Sequence, residues 1–196
     1  MESESPLTVA HSPGPTVETQ RLILRLPQAH DFDDYAELVG DDEAARYIGG
    51  HLPRAAAWRK FLQMPGAWAI QGFAMFSVVE KSSGRWIGQL GPWHPEGWPG
   101  TEVGWAFKRS SWGRGYATEA GNAAIDWAFT RLGWDEVIHS IHPDNRASQL
   151  LAQRLGSVNR GPGRLPAPFQ DSPIEVWGQT RAEWQTHRVH GFSRSR

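Results

Sequence analysis

Between residues 101 and 132 the chain changes its hydrophobic period twice, and this stretch constrains the fold more than any other. Val103, Trp105 and Phe107 alternate with Glu102, Gly104 and Ala106, the two-residue period of a strand. A polar turn follows from Lys108 to Gly115, with two glycines one residue apart. Then Tyr116, Ala120, Ala124, Trp127 and Ala128 fall on one helical stripe. Strand, Gly-rich turn and helix together form a general device for holding phosphate. The glycines let the backbone come close, and the N–H groups of the first helical turn face the anion with the helix dipole behind them. Lys108, Arg109 and Arg114 put positive charge on the same turn. No third glycine follows at dinucleotide-fingerprint spacing, and no Gly-Lys-Ser/Thr follows as in a Walker A loop. Two glycines at this spacing also suit an ordinary loop, so the turn alone names no ligand.

The rest of the chain supplies further strands and helices. Residues 19–26 alternate as a strand stopped by Pro27. Phe32, Tyr35, Leu38 and Val39 have helical spacing, and short helices are expected over 41–48 and 54–62. Strands are expected over 67–70 and 73–80, then a turn over 81–84 and a strand over 86–90, which makes a hairpin. Residues 91–100 read as a stiff loop. A strand over 136–141 precedes a helix over 145–155, with Asp144 or Asn145 as its cap and Gly156 at its end. Residues 161–173 are rich in proline and glycine and read as loop. A last strand covers 174–179, and Thr180 caps a short helix. Residues 1–15 are expected to be a flexible tail, 16–188 one domain and 189–196 a basic tail.

Composition narrows the function. A chain of 196 residues buries about 70% of its unfolded surface and needs no staples. It has no cysteine, which excludes disulfides, thiol catalysis and cysteine–zinc sites. The formal net charge of −1 gives no footprint for direct nucleic-acid binding. No stretch reads as a membrane span or signal peptide, and a cytoplasmic protein is expected. His139 and His142 fall on opposite faces of an extended strand with no third ligand in view, so no metal centre is expected.

Glu102-Val-Gly-Trp105 followed by Trp112-Gly-Arg-Gly-Tyr-Ala-Thr-Glu-Ala120 resembles the central motif of the GNAT superfamily of acetyl-CoA-dependent N-acetyltransferases. The branch it most resembles contains the Rim-type ribosomal-protein-alanine N-acetyltransferases. Ile141-His-Pro-Asp-Asn-Arg-Ala-Ser148, running on to Gly156, is similar to the family's later strand-to-helix motif, and residues 19–25 resemble the branch's first strand. The resemblance spans residues 16–184 and implies an α/β fold. Its mixed, mostly antiparallel central sheet of six to seven strands would carry helices on both faces. A splayed strand pair would hold the cofactor.

The resemblance also assigns roles. Acetyl-CoA would be the co-substrate, held by Trp105 and Phe107 on the strand, by Arg109, Trp112, Gly113, Arg114, Gly115, Tyr116 and Ala117 around the turn, and by Asn145 beside the pantetheine. The family often has Arg or Gln at the position of Ser110, so backbone binding is expected to survive here without that side chain's contribution. Backbone N–H groups around Trp105 would polarise the thioester carbonyl. Glu102, a lone acid in an apolar strand, would be the base that takes the amine's proton. The alternative places it at an edge, facing water. Many relatives carry a tyrosine where this chain has Ala152, so Ser148 would protonate the leaving thiolate instead. Asn145 and Ser148 also fit plain helix-capping roles. The acceptor would be a protein N-terminal α-amine or a small-molecule primary amine. An aminoglycoside- or polyamine-type enzyme would use the acids among residues 31–43, which otherwise read as helix N-terminal and surface charge. The rival from another class is a non-catalytic acyl-CoA sensor or scaffold. Tryptophans near residues 91–100 suit either an acceptor pocket or a homodimer contact.

Overall fold

The computed structural model describes residues 14–193, the side chains of 190–193 excepted. The expected N-terminal tail, 1–15, lies outside the described residues apart from its last two positions. In chain order the elements are β1 (Val17–Glu18), β2 (Leu22–Arg25), α1 (Phe32–Gly40), α2 (Asp42–Ala45), α3 (Arg54–Phe61), α4 (Gln63–Gln71), β3 (Phe76–Glu80), β4 (Trp86–Trp93), β5 (Glu102–Phe107), α5 (Tyr116–Trp127), β6 (Glu136–Ile141), α6 (Arg146–Arg154), β7 (Val158–Gly163), β8 (Ile174–Thr180) and α7 (Arg181–Ser193). The strands form one sheet in the order β1-β2-β3-β4-β5-β6-β8-β7. Every pairing is antiparallel except β5 with β6.

Strand alternation sends residues to two cores. Leu22, Leu24, Phe76, Val78, Val103 and Phe107 face α4 to α7, where Trp68, Ala120, Ala124, Leu151, Leu155 and Trp184 bury them. Trp86 and Ala106 face the other way, against Tyr35, Leu38 and Val39 of α1 and Ala57 and Phe61 of α3. Helices therefore cover both faces, as the resemblance implies. Fully burying a side chain such as Leu22 or Leu24 is worth about 1.5–3 kcal/mol.

Five expectations need correction. Residues 67–70 belong to α4, not to a strand. Met64 and Trp68 are four apart and bury one helical face, Pro65 sits in the first turn where its missing N–H costs nothing, and Gly72 closes the helix at φ 79°. β4 runs three residues further than expected, to Trp93. Pro92 is tolerated because β3 begins at Phe76, paired with Leu90, so no neighbour on that side asks for the proline's N–H. β7 occupies the start of the segment read as loop. It is an edge strand with a bulge between Asn159 and Pro162, the setting in which a sheet accepts proline. With β1 only two residues long, the sheet has eight strands rather than six to seven. Finally, α7 carries helix through residues 189–193 of the expected basic tail, while 194–196 lie outside the described residues. Its start is as expected. Thr180 and Glu183 form a capping box, with the Glu183 N–H donating to Thr180 Oγ1 at 3.2 Å and the Thr180 N–H to Glu183 Oε2 at 2.7 Å.

Candidate active site

The parallel pair is where the sheet opens. β5 and β6 share one residue pair, Glu102 with Ile138, and then diverge. The Lys108 N–H donates to the Ile87 carbonyl, so the even-numbered residues of β5 hydrogen-bond to β4. The Ile138 N–H donates to the Thr101 carbonyl, so the odd-numbered residues face β6. Trp105 and Phe107 thus turn their backbone N–H groups into the gap, where no strand follows. Unmet backbone groups in a sheet interior need a partner, and an extended chain of amides such as pantetheine would supply one.

The turn beyond β5 is a ready anion cradle. Gly113 and Gly115 both take left-handed φ, 73° and 77°, which side-chain-bearing residues avoid, and a Cβ on Gly113 would meet nothing within 4 Å. Among the described residues, the N–H groups of Gly113, Gly115 and Tyr116 meet no protein acceptor, and α5 starts with no side-chain cap. The Trp112 N–H is spent on the Arg109 carbonyl, so of the expected backbone donors this one is engaged. Trp112 acts through its indole instead, which donates to the Phe107 carbonyl at 2.9 Å and ties the turn to the end of the strand. Ala117 packs against the main core from the first turn of α5.

The turn's cations are arranged differently from expectation. The buried Lys108 ammonium pairs with Asp34 at 2.6 Å and Glu37 at 2.7 Å. Burial alone would lower its pKa, yet these two acids raise it above the ordinary lysine value. Arg109 pairs with Asp41 at 3.0 Å and Glu43 at 3.3 Å. Both charges therefore brace α1 and α2, whose acids outreach the turn, and the acidic run is engaged in caps and ion pairs. A recess of about 400 Å³ between α1 and the turn is walled by these paired groups together with Leu38 and Ser110. Arg114 stays exposed on the turn.

Arg21, from β2's approach, takes over a part that the sequence did not reveal. Its Nη1 donates to the Arg114 carbonyl at 2.9 Å, its Nε pairs with Glu119 at 2.6 Å, and its guanidinium covers the Tyr116 ring at 4.6 Å. Tyr116 is buried with its hydroxyl on the Glu80 carboxylate, so it packs rather than pointing into the gap.

The two candidate catalytic side chains lie on opposite faces of the open sheet. Glu102 shares a face with Ser140, and it is 7% exposed rather than facing water. Its Oε2 accepts from the Trp98 indole and from the Ser140 hydroxyl, the latter at 2.8 Å. Burial pushes its pKa above the ordinary glutamate value, and the Trp98 indole, the Ser140 hydroxyl and the Ser140 N–H draw it back only in part. Oε1 lies over Gly104, where a Cβ would come within 3.2 Å of it and 2.5 Å of Met75 Cε. On the other face, Trp105 Nε1 donates to Ser148 Oγ at 3.1 Å. Asn145 caps α6, its Oδ1 accepting from the Ser148 N–H at 3.1 Å, which leaves the amide's donor end for other use. Ala152 is fully buried against Ile141 and Trp177, in space that a tyrosine could not share.

Beyond the α1–α2 acids, Tyr47 reaches the site's rim. Its ring lies 5.0 Å from His142, at the junction of β6 and α6. Trp58 packs outward on Phe32, His51 pairs with Asp42, and Arg46 makes no contact that bears on the site. The β7–β8 connection closes the rim instead, with Pro166 beside Gly97 and Phe169 beside Gly49. Trp93 and Trp98 meet edge to face at 6.5 Å above Glu102. His139 has both ring nitrogens engaged, Nδ1 with the Val103 carbonyl and Nε2 with Ser157. No cluster of three metal-ligating side chains occurs among the described residues.

Comparisons with known proteins identify the family and the fold. Residues 21–158 match the family model of the acetyltransferase (GNAT) domain. The chain is 29% identical over 149 residues to the uncharacterised N-acetyltransferase p20 of Bacillus licheniformis, covering 74% of this chain and 84% of that protein. The crystal structure of an acetyltransferase from Agrobacterium tumefaciens superposes with a TM-score of 0.76 at 29% identity, covering 87% of this chain and 97% of that one. A putative ribosomal-protein-serine acetyltransferase from Vibrio cholerae shares the fold, with a TM-score of 0.70 at 20% identity over 87% of this chain and 99% of that one. With the motif blocks, the open parallel pair and the family match all falling on the same residues, the chain belongs to the GNAT family of acetyltransferases.

Proposed function

We propose that this protein transfers an acetyl group from acetyl-CoA directly to a primary amine, in a ternary complex without a covalent enzyme intermediate. The observation that carries the reading is the gap between β5 and β6, with unmet backbone N–H groups of Trp105 and Phe107 on its wall, Glu102 on one face and Ser148 on the other. The turn from Gly113 to Tyr116 would receive the cofactor's pyrophosphate, and the gap its pantetheine. Acetyl-CoA supplies an activated acyl group whose carbonyl carbon accepts the amine and whose sulfur leaves. Glu102 would take a proton from the incoming ammonium and make it a nucleophile. The Trp105 N–H would stabilise the carbonyl oxygen as it gains charge. Ser148, which accepts from Trp105 and keeps its own proton, would donate that proton to the departing thiolate. Base and acid thus stand on opposite sides of the reacting carbon, as addition and departure require.

The acceptor is a protein N-terminal α-amine or a small-molecule primary amine. Deprotonating an α-amine of pKa about 8 costs roughly 1.4 kcal/mol at pH 7, and a lysine of about 10.4 costs nearer 4.6. One buried carboxylate suits the first. No helix among the described residues is long and apolar enough to cross a membrane.

The deciding experiment measures thiol release from acetyl-CoA against a panel of peptides and small amines, with Glu102→Gln and Ser148→Ala run alongside. Turnover that is lost in Glu102→Gln while acetyl-CoA binding persists is the expected result. Binding with no release on any acceptor favours an acyl-CoA sensor, and no binding at all overturns the reading.

A further inference from the structure

A parallel ladder that continued past Glu102 and Ile138 would next join the Ser140 N–H to the Val103 carbonyl and the Trp105 N–H to the Ser140 carbonyl. The Val103 carbonyl is not free to do so, and the Ser140 side chain is turned to Glu102, its hydroxyl donating to Oε2 at 2.8 Å. The Val103 carbonyl is held by His139 Nδ1 at 2.7 Å. A carbonyl only accepts, so Nδ1 carries the proton and Nε2 accepts from the Ser157 hydroxyl at 3.0 Å. Gln179 Nε2 in turn donates to Ser157 Oγ at 3.1 Å and to the Leu155 carbonyl at 2.8 Å. The donors run one way, from Gln179 on β8 to Val103 on β5. They fix the tautomer and rotamer of His139 from behind. Burial pushes the imidazole pKa down to about 4, against a smaller upward pull from the Val103 carbonyl, so the neutral ring persists at physiological pH.

We propose that His139 is a positioning residue: its Nδ1–H occupies the Val103 carbonyl, prevents β6 from closing onto β5, and so keeps the cleft open. The inference rests on the acetyl-CoA reading for its functional consequence, and on backbone geometry alone for the wedge. It explains why a neutral polar side chain stands in the core at 1% exposure, its ring 4.7 Å from that of Trp105 and tilted 49° to it.

The test compares His139→Leu, His139→Asn and His139→Gln with Ser157→Ala and Gln179→Met. Asparagine places a donor where Nδ1 stands, glutamine places its donor one atom further out, and the last two variants disturb only the chain behind the ring. Acetyl-CoA affinity, thermal midpoint, and Trp105 amide exchange without ligand are measured for each. Leucine and glutamine are expected to weaken acetyl-CoA at least about tenfold and to slow Trp105 amide exchange by a similar factor, as that N–H gains the Ser140 carbonyl. Asparagine and the two outer variants are expected to stay within about threefold of the original protein in both readouts, whatever their midpoints. Affinity that simply follows the midpoint across all five variants overturns the proposal. So does unchanged Trp105 exchange in the leucine and glutamine variants. If the unaltered protein binds no acetyl-CoA, the acetyltransferase reading fails, and the exchange rates still decide whether His139 holds the strands apart.

Discussion

The Trp105 indole donates to the Ser148 hydroxyl across 3.1 Å, joining β5 to the first turn of α6 over the open end of the sheet. An indole N–H can only donate, so Ser148 accepts and its own proton is directed elsewhere. Trp105→Phe keeps the ring and removes the donor. It is expected to lower kcat by about three- to tenfold, as befits one hydrogen bond. In a Ser148→Ala background the same change should cost almost nothing. A double-mutant cycle on kcat checks this, and full additivity would show that Trp105 does not act through Ser148.

Glu102 should trade stability for activity. Its folded-state pKa is raised above the 4.5 of an exposed glutamate, chiefly by burial. The folded protein therefore binds this proton more tightly than the unfolded chain does. Its contribution to stability falls as pH rises from about 4.5 through the raised folded value. Glu102→Gln removes that penalty and is expected to raise the thermal midpoint at pH 7 while lowering kcat by roughly a hundredfold or more. The acid limb of kcat/KM should sit above 4.5 and vanish in the variant. Calorimetry at pH 4 and pH 7 with a pH–rate profile tests both halves. A lower midpoint for the variant at pH 7 would contradict the sign.

Arg21 should act on the cofactor and not on the chemical step. It holds the Arg114 carbonyl and Glu119 at the edge of the glycine turn. Its side chain is 44% exposed, so its ion pair with Glu119 is expected to add at most about 1 kcal/mol to stability. Arg21→Ala should raise the KM for acetyl-CoA several-fold and leave kcat nearly unchanged, because a loosened turn presents its N–H groups less well. Steady-state kinetics with acetyl-CoA as the varied substrate decide this. An equal fall in kcat would place Arg21 in the chemistry instead.

Asp31 anchors the α1 side of the sheet. It is almost wholly buried, takes a two-pronged contact from Arg25 at 2.7 and 2.8 Å, and accepts from the Ser77 hydroxyl and the Gln28 N–H. Burial alone would raise its pKa, and these partners together lower it below 3.8. The stability it contributes is present above 3.8 and is lost as pH falls through the depressed folded value. Asp31→Asn is expected to cost about 3 kcal/mol at pH 7, since it leaves the half-buried Arg25 without its counter-charge, and to flatten the acid side of the stability curve. Urea titrations between pH 2 and 7 measure both effects.

What could be read from the chain were the features whose causes lie close together along it. The period change at residues 101–132, the Asn145 cap and the Thr180 box each depend on residues a few positions apart. Residues 67–70 read as strand because Trp68 and Ile70 alternate with smaller residues; the deciding fact is that Trp68 meets Phe76 and Trp127 across the fold, in the same core cluster as Met64. The charges of Lys108 and Arg109 looked like part of the turn because their acidic partners are 65 to 75 residues earlier, in α1 and α2. Arg21 faces Glu119 from 98 residues away. His139 gave only a composition signal, a histidine in an apolar strand, and that signal suggests a metal ligand before it suggests a wedge. A polar residue at an inward strand position asks which backbone group it serves, and the answer came from the other strand.

The single rung between Glu102 and Ile138 also divides the molecule as a folding object. Strands β1 to β5 follow one another in sequence order, each pairing with the next, so they can assemble by short hairpin steps once α1 to α4 are in place. Strands β6, β8 and β7 form a second unit whose own ladder is complete without the first. Between the units the backbone offers little more than that rung, and cohesion falls to the side chains of α5 and α6. The backbone ladder therefore has a weak seam bridged by a shared core, and whatever fills the seam adds hydrogen bonds between the two halves.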